Sequence, residues 1–199
     1  MRGSLGGTYF ISEGDIKKYS LKTKEMQNRA VYPRWHPSGK FVAFSSNKVR
    51  QNFHSMEKKK IEVSDLSSSL VLYDLEKNEM MQIPVDELKQ FMDTYPEWSP
   101  DGKYLYFCRA RYLGDTFYYK DAKYNLYRAK FNPESRQFGK PELVFDAAGQ
   151  SVSFPRVSPK GGRLILTLHN YGCFPIWHKE ADLYSLDLST FSVEKCNVN

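Results

Sequence analysis

The chain has 199 residues, is 41% hydrophobic and 15% aromatic, and carries a formal charge of +6, enough to bury a substantial core in one or two domains. No apolar run approaches the roughly 18 residues of a membrane-spanning helix, and Met1–Gly7 has a charge but no apolar stretch such as a secretory signal needs, so neither is expected. The cysteines Cys108, Cys173 and Cys196 are far apart and odd in number, which excludes a readable disulfide framework and any C-x-x-C pair.

Short apolar segments between polar turns begin early. Thr8–Ile11, Asp15–Leu21 and Lys24–Arg29 read as three strands of a partial unit over residues 1–30. The stretch Tyr32-Pro-Arg-Trp-His-Pro-Ser-Gly-Lys-Phe-Val-Ala-Phe44 then starts a pattern that returns twice. Its other copies are Tyr95-Pro-Glu-Trp-Ser-Pro-Asp-Gly-Lys-Tyr-Leu-Tyr-Phe107 and Phe154-Pro-Arg-Val-Ser-Pro-Lys-Gly-Gly-Arg-Leu-Ile-Leu166. Their second prolines, Pro37, Pro100 and Pro159, stand 63 and 59 residues apart, a period that signals a repeat architecture.

Each copy reads as strand, turn, strand. Proline fixes φ and lacks a donor, while Asp or Ser before Gly suits a tight reversal. Trp35, Pro37, Gly39, Trp98, Pro100, Asp101, Gly102, Pro159 and Gly161 are therefore expected to be structural. A third strand follows each copy (Leu70–Leu75, Asn125–Phe131, Asp182–Leu188), then a polar turn and a fourth strand (Met80–Ile83, Pro141–Phe145, Ser192–Cys196). The one helical expectation is a short turn over Val85–Met92.

Repeated four-stranded antiparallel units predict an all-β fold, a β-propeller with blades near residues 31–84, 94–146 and 153–199. Open blade edges would make such a piece prone to self-association. In a four-stranded meander the short turns fall at one end. The long connections, Ser46–Ser69, Pro84–Thr94, Arg109–Tyr124, Asp146–Ser153 and Leu168–Ala181, fall at the other. Insertions gathered on one face often mark a binding surface. On that face Tyr112, Phe117, Tyr118 and Tyr119 offer aromatic area for sugars, peptides or protein partners, or else cover their own loop. Trp177 and His178 join them as binding candidates, with a loop-fixing hydrogen bond the favoured role for His178.

His169, Cys173 and His178 are one ligand short of a structural zinc site, so no metal is expected. His36, where the other copies carry Ser, is suited to capping the turn amides. Lys58-Lys-Lys60 with Lys48 and Arg50 faces Glu57, Glu62 and Asp65 in the same connection, five basic against three acidic, too little excess for nucleic-acid binding. No G-x-S-x-G, H-E-x-x-H, P-loop or G-x-G-x-x-G occurs. Asp93, Asp115 and Asp146, all in long connections, are the carboxylates that an acid–base reaction would draw on.

The aromatic-Pro-x-Trp-Ser-Pro-Asp-Gly-Lys pattern resembles the TolB-like β-propeller repeat of bacterial envelope proteins, over nearly the whole chain. The middle copy is close to consensus. The first departs at His36 and Ser38, and the third at Val157, Lys160 and Gly162. The segments Val31–Lys40, Ser153–Pro159 and Ile176–Tyr184 resemble a subgroup of large TolB-like proteins that often carry a c-type haem motif ahead of the propeller. The chain has no C-x-x-C-H, so haem does not carry over and no cofactor is expected. The resemblance implies a periplasmic or envelope location and a non-enzymatic scaffold that binds a protein or a cell-wall-linked ligand. The alternative is a propeller hydrolase or lyase acting on oligosaccharide or peptide through carboxylates on the long-loop face.

Overall fold

The computed structural model describes residues 8–12, 15–19, 29–54, 60–83, 90–114, 121–170, 172–173 and 180–198. They form an all-β structure in which every pairing is antiparallel. A hairpin of β1 (Thr8–Ser12) and β2 (Asp15–Tyr19) comes first. The first four-stranded sheet follows in chain order, β3 (Arg29–Trp35), β4 (Phe41–His54), β5 (Lys60–Asp74) and β6 (Glu79–Ile83). The second contains β7 (Phe91–Trp98), β8 (Tyr104–Arg111) and β9 (Asn125–Asn132), with β10 (Gln137–Phe138) and β11 (Glu142–Phe145) sharing the outer edge of β9. The third is β12 (Ser151–Val157), β13 (Arg163–His169), β14 (Ala181–Asp187) and β15 (Val193–Lys195).

The signature turns form as the sequence predicts. Gly39, Gly102 and Gly161 donate to the carbonyls of His36, Ser99 and Ser158 at 2.8, 2.9 and 2.8 Å. Each of these glycines has a positive φ, between 71° and 80°, a conformation that costs glycine little and other residues more. Asp101 braces the middle turn, accepting from Ser99 Oγ at 2.6 Å and from the Lys103 amide at 3.0 Å. The two short-turn classes lie at one end, since Leu75, Phe131 and Leu188 donate to Lys40, Lys103 and Gly162.

Sheets pack face to face in series. Between the first and second lie Phe41, Leu70, Leu72, Trp98, Leu105, Phe107 and Phe131. Between the second and third lie Met92, Tyr95, Tyr106, Cys108, Leu126, Leu164 and Leu166. A smaller cluster of Phe44, Val71 and Tyr73 covers the other face of the first sheet. Cys108 is the small buried hydrophobe its strand suggests, and burial pushes its thiol pKa well up.

Four expectations need correction. Residues 46–69 are not an open loop, because β4 and β5 continue as a hairpin arm down to the pair His54 and Lys60. The alternation of Val49, Gln51 and Phe53 with Ile61 and Val63 was the missed strand signal. The expected fourth strand of the second unit, β11, is preceded by an extra two-residue strand, β10. Gly139 continues the pairing of β10 with β9 by donating to the Lys130 carbonyl at 2.8 Å, before Pro141, which has no amide to give. Phe91, Met92 and Asp93 belong to β7, so the helical turn does not extend to Met92 and Asp93 is not in a connection. Residues 84–89 and the strand expected over Lys24–Asn28 lie outside the described residues.

Candidate functional site

Every first strand is interrupted at the same point. Its register shifts between Val31 and Arg34 in β3, between Thr94 and Glu97 in β7, and between Ser153 and Arg156 in β12. At each shift the two residues of the signature's aromatic–proline pair stand opposite one residue of the next strand, an excess of one. Tyr32, Tyr95 and Phe154 sit at φ of 57°, 53° and 51°. A residue before proline normally stays extended, and a bulky side chain at positive φ costs about 1–3 kcal/mol.

What holds the bulges is their mutual packing. The Tyr32 and Tyr95 rings are 4.6 Å apart, Tyr95 and Phe154 4.4 Å, and Tyr32 and Phe154 6.4 Å. Tyr95 is buried and donates its hydroxyl to the Cys173 carbonyl at 2.9 Å. Three sheets thus deliver one ring each to a single aromatic cluster.

The residue after each bulge proline forms a second cluster. Arg34 Nε meets Glu97 Oε2 at 2.7 Å, and Arg156 Nη1 reaches the same oxygen at 3.3 Å. Both arginines fold back on their own bulges, Arg34 donating to the Pro33 carbonyl at 3.2 Å and Arg156 to the Pro155 carbonyl at 2.7 Å. The Arg34 carbonyl also accepts from Trp98 Nε1 at 3.3 Å. Glu97 is the most covered member at 14% side-chain exposure, against 32% for Arg34 and 43% for Arg156. Burial lowers the Arg156 pKa and the Arg34 charge lowers it further, while Glu97 opposes both. Arginine stays protonated regardless. Two cations share one carboxylate oxygen, so one positive charge is left uncompensated. Planar guanidiniums held in this way are suited to a planar anion.

The candidate residues from the sequence that are described fall elsewhere. Tyr112 is half-buried against the core and donates its amide to the Gln90 carbonyl at 2.7 Å. Phe117, Tyr118, Tyr119, Trp177, His178 and Asp115 lie outside the described residues. Trp98 is only 5% exposed, packed between sheets, whereas Trp35 is 44% exposed. Asp93 is buried and bound side-on by Arg109, whose Nε and Nη2 donate to its two carboxylate oxygens at 2.7 and 2.8 Å. The Arg109 guanidinium lies over the Phe91 ring at 4.7 Å. Asp93 is therefore committed to an internal pair, and Asp146 accepts the Ala148 amide in a turn. His169 and Cys173 are buried, and no group of three metal-ligating side chains exists among the described residues. The signal for the arginine cluster lay inside the signature, where the variable position reads Arg, Glu and Arg.

No protein-family model and no curated protein matches the chain. Solved structures do. Puromycin hydrolase aligns over 92% of the chain at 13% identity with a TM-score of 0.54, and the chain spans 26% of it. Porphyromonas gingivalis dipeptidyl peptidase 4 aligns over 90% at 14% identity with a TM-score of 0.47, again with 26% of its length covered. Oligogalacturonate lyase from Vibrio parahaemolyticus aligns over 84% at 16% identity with a TM-score of 0.44, and 35% of it is covered. The chain thus spans about a quarter to a third of these proteins. At such identities the likeness shows a propeller-like all-β fold and assigns no activity. It does overturn the expectation of a non-enzymatic scaffold. That expectation rested on fold analogy with TolB, and the same fold analogy meets puromycin hydrolase, so it does not favour a scaffold.

Proposed function

We propose that the chain supplies blades of a β-propeller enzyme, a hydrolase or lyase acting on peptide or oligosaccharide. On this reading the first strands line a central channel and substrate meets them there. The observation that carries it is the convergence of one signature position from three repeats, Arg34, Glu97 and Arg156, on a single partly exposed spot. Likeness to puromycin hydrolase supports the fold. The TolB-like form of the repeat supports an envelope location, which cell fractionation tests. Asp93 is paired within the fold and Asp146 accepts a turn amide, so these two are not offered as the acid–base pair. The full gene product should turn over members of a peptide or an oligosaccharide library, with KM raised by Arg156→Gln. No turnover on either library overturns the proposal.

A further inference from the structure

We infer that Arg34 and Arg156 form a recognition site for a carboxylate carried by the ligand. This inference rests on the enzyme reading above and names the chemistry its substrate would bear. The two guanidiniums converge on Glu97 Oε2, at 2.7 Å from Arg34 and 3.3 Å from Arg156. Each is anchored by its own bulge carbonyl, so its direction is set before a ligand arrives. Arg34 Nη2 and Arg156 Nε and Nη2 have no hydrogen-bond partner among the described residues. These donors belong to a partly exposed site with one positive charge in excess. Beside them Tyr32 and Phe154, both half-buried, provide apolar surface for whatever the carboxylate is attached to.

Glu97 has two effects here. It holds the arginines together, and it competes with the ligand for them. An incoming carboxylate gains the unused donors and displaces or shares the Glu97 contacts. The chemistry fits a peptide C-terminus or a uronic acid equally, so the test separates the two.

The full gene product is titrated calorimetrically with a tripeptide bearing a free C-terminus and with its C-terminal amide. A short uronate oligosaccharide and its methyl ester form the second arm, and inorganic phosphate is the control. In one arm the free acid should bind about tenfold or more tightly than the capped form, the scale of a charge-assisted contact. Arg156→Gln should weaken that binding about tenfold, and Glu97→Gln should tighten it. A purely structural cluster predicts instead that both substitutions weaken binding together. Arg156→Lys keeps the charge and the stem but loses the fork, and gives an intermediate loss if Arg156→Gln fails to fold. Equal binding of free and capped forms, absence of binding in both arms, or an unchanged affinity in the Arg156 variants overturns the inference. Carboxylate-selective binding without turnover sinks only the enzyme proposal. Turnover without carboxylate preference sinks only this site.

Discussion

Substituting Gly102 by Ala probes the interlock between consecutive repeats. Gly102 has a φ of 71°, where an alanine is disfavoured by about 1–2 kcal/mol. A Cβ built there collides with His36 of the preceding repeat, meeting Nε2 in a contact shorter than real Cβ atoms make and Cε1 at 2.6 Å. The imidazole cannot swing away cheaply. Its Nε2 is bonded to the Gly102 carbonyl at 3.1 Å, its Nδ1 accepts the Ser38 amide at 3.1 Å, and its ring stands edge-on to Trp98 at 4.7 Å. Forcing extra volume into such a site costs about 1–3 kcal/mol. Gly102→Ala should therefore cost about 2–5 kcal/mol in urea denaturation. The steric part is separable, because His36→Ser restores the serine that the other two copies carry. In the background of His36→Ser the alanine should cost only the backbone share, so the double-mutant cycle should show about 1–3 kcal/mol of coupling. Strict additivity would refute the interlock.

The buried pair of Asp93 and Arg109 leaves an uncompensated charge when one partner is removed, so Asp93→Ala should lose about 3–5 kcal/mol in the same assay. Trp98→Ala should cost about 3–5 kcal/mol and Trp35→Ala clearly less, since Trp98 is 5% and Trp35 44% exposed. Thermal melts of the two variants make that comparison directly. Burial lowers the His36 pKa in the fold, more than its bond to Gly102 raises it. Its stabilisation is therefore present above the ordinary histidine value near 6.5 and is lost as pH falls through the lower folded value. Urea midpoints at about pH 7.5 and pH 5 should differ more for the natural chain than for His36→Ser. Equal shifts in the two would remove His36 from the acid response.

How much was legible in the sequence depended on how local each feature was. The turns at His36–Gly39, Ser99–Gly102 and Ser158–Gly161 follow from proline and glycine chemistry within a few residues, and they were read correctly. So were most of the strands among the described residues, whose apolar segments carry their own signal. The hairpin arm below Asn47 was missed because its polar residues obscured a weaker alternation. The bulges were invisible for a physical reason: an aromatic before proline predicts extended backbone, and only packing among three repeats pays for the opposite. Asp93 read as a loop carboxylate because Arg109, its partner, is adjacent only through strand pairing. Arg34, Glu97 and Arg156 are far apart in the chain, and nothing short of sheet packing brings them to one oxygen.

The bulges give the signature its logic. Met92 and Trp98 stand an even number of residues apart in β7, which in an unbroken strand would put them on one face. Instead Met92 packs between the second and third sheets and Trp98 between the first and second. The register shift between Thr94 and Glu97 makes the switch. One first strand can therefore fill the cores on both its sides, with Tyr95 at the crossing, where it joins the ring cluster. The same shift turns Glu97 alongside Tyr106, toward the third sheet and Arg156. Arg34, after the corresponding bulge, is paired with Ala43 on the face that meets the second sheet and Glu97. The strain at Tyr32, Tyr95 and Phe154 is thus coupled to where the charges go. The fixed residues of the repeat set the crossing, and the one variable position after each proline decides what chemistry is presented there.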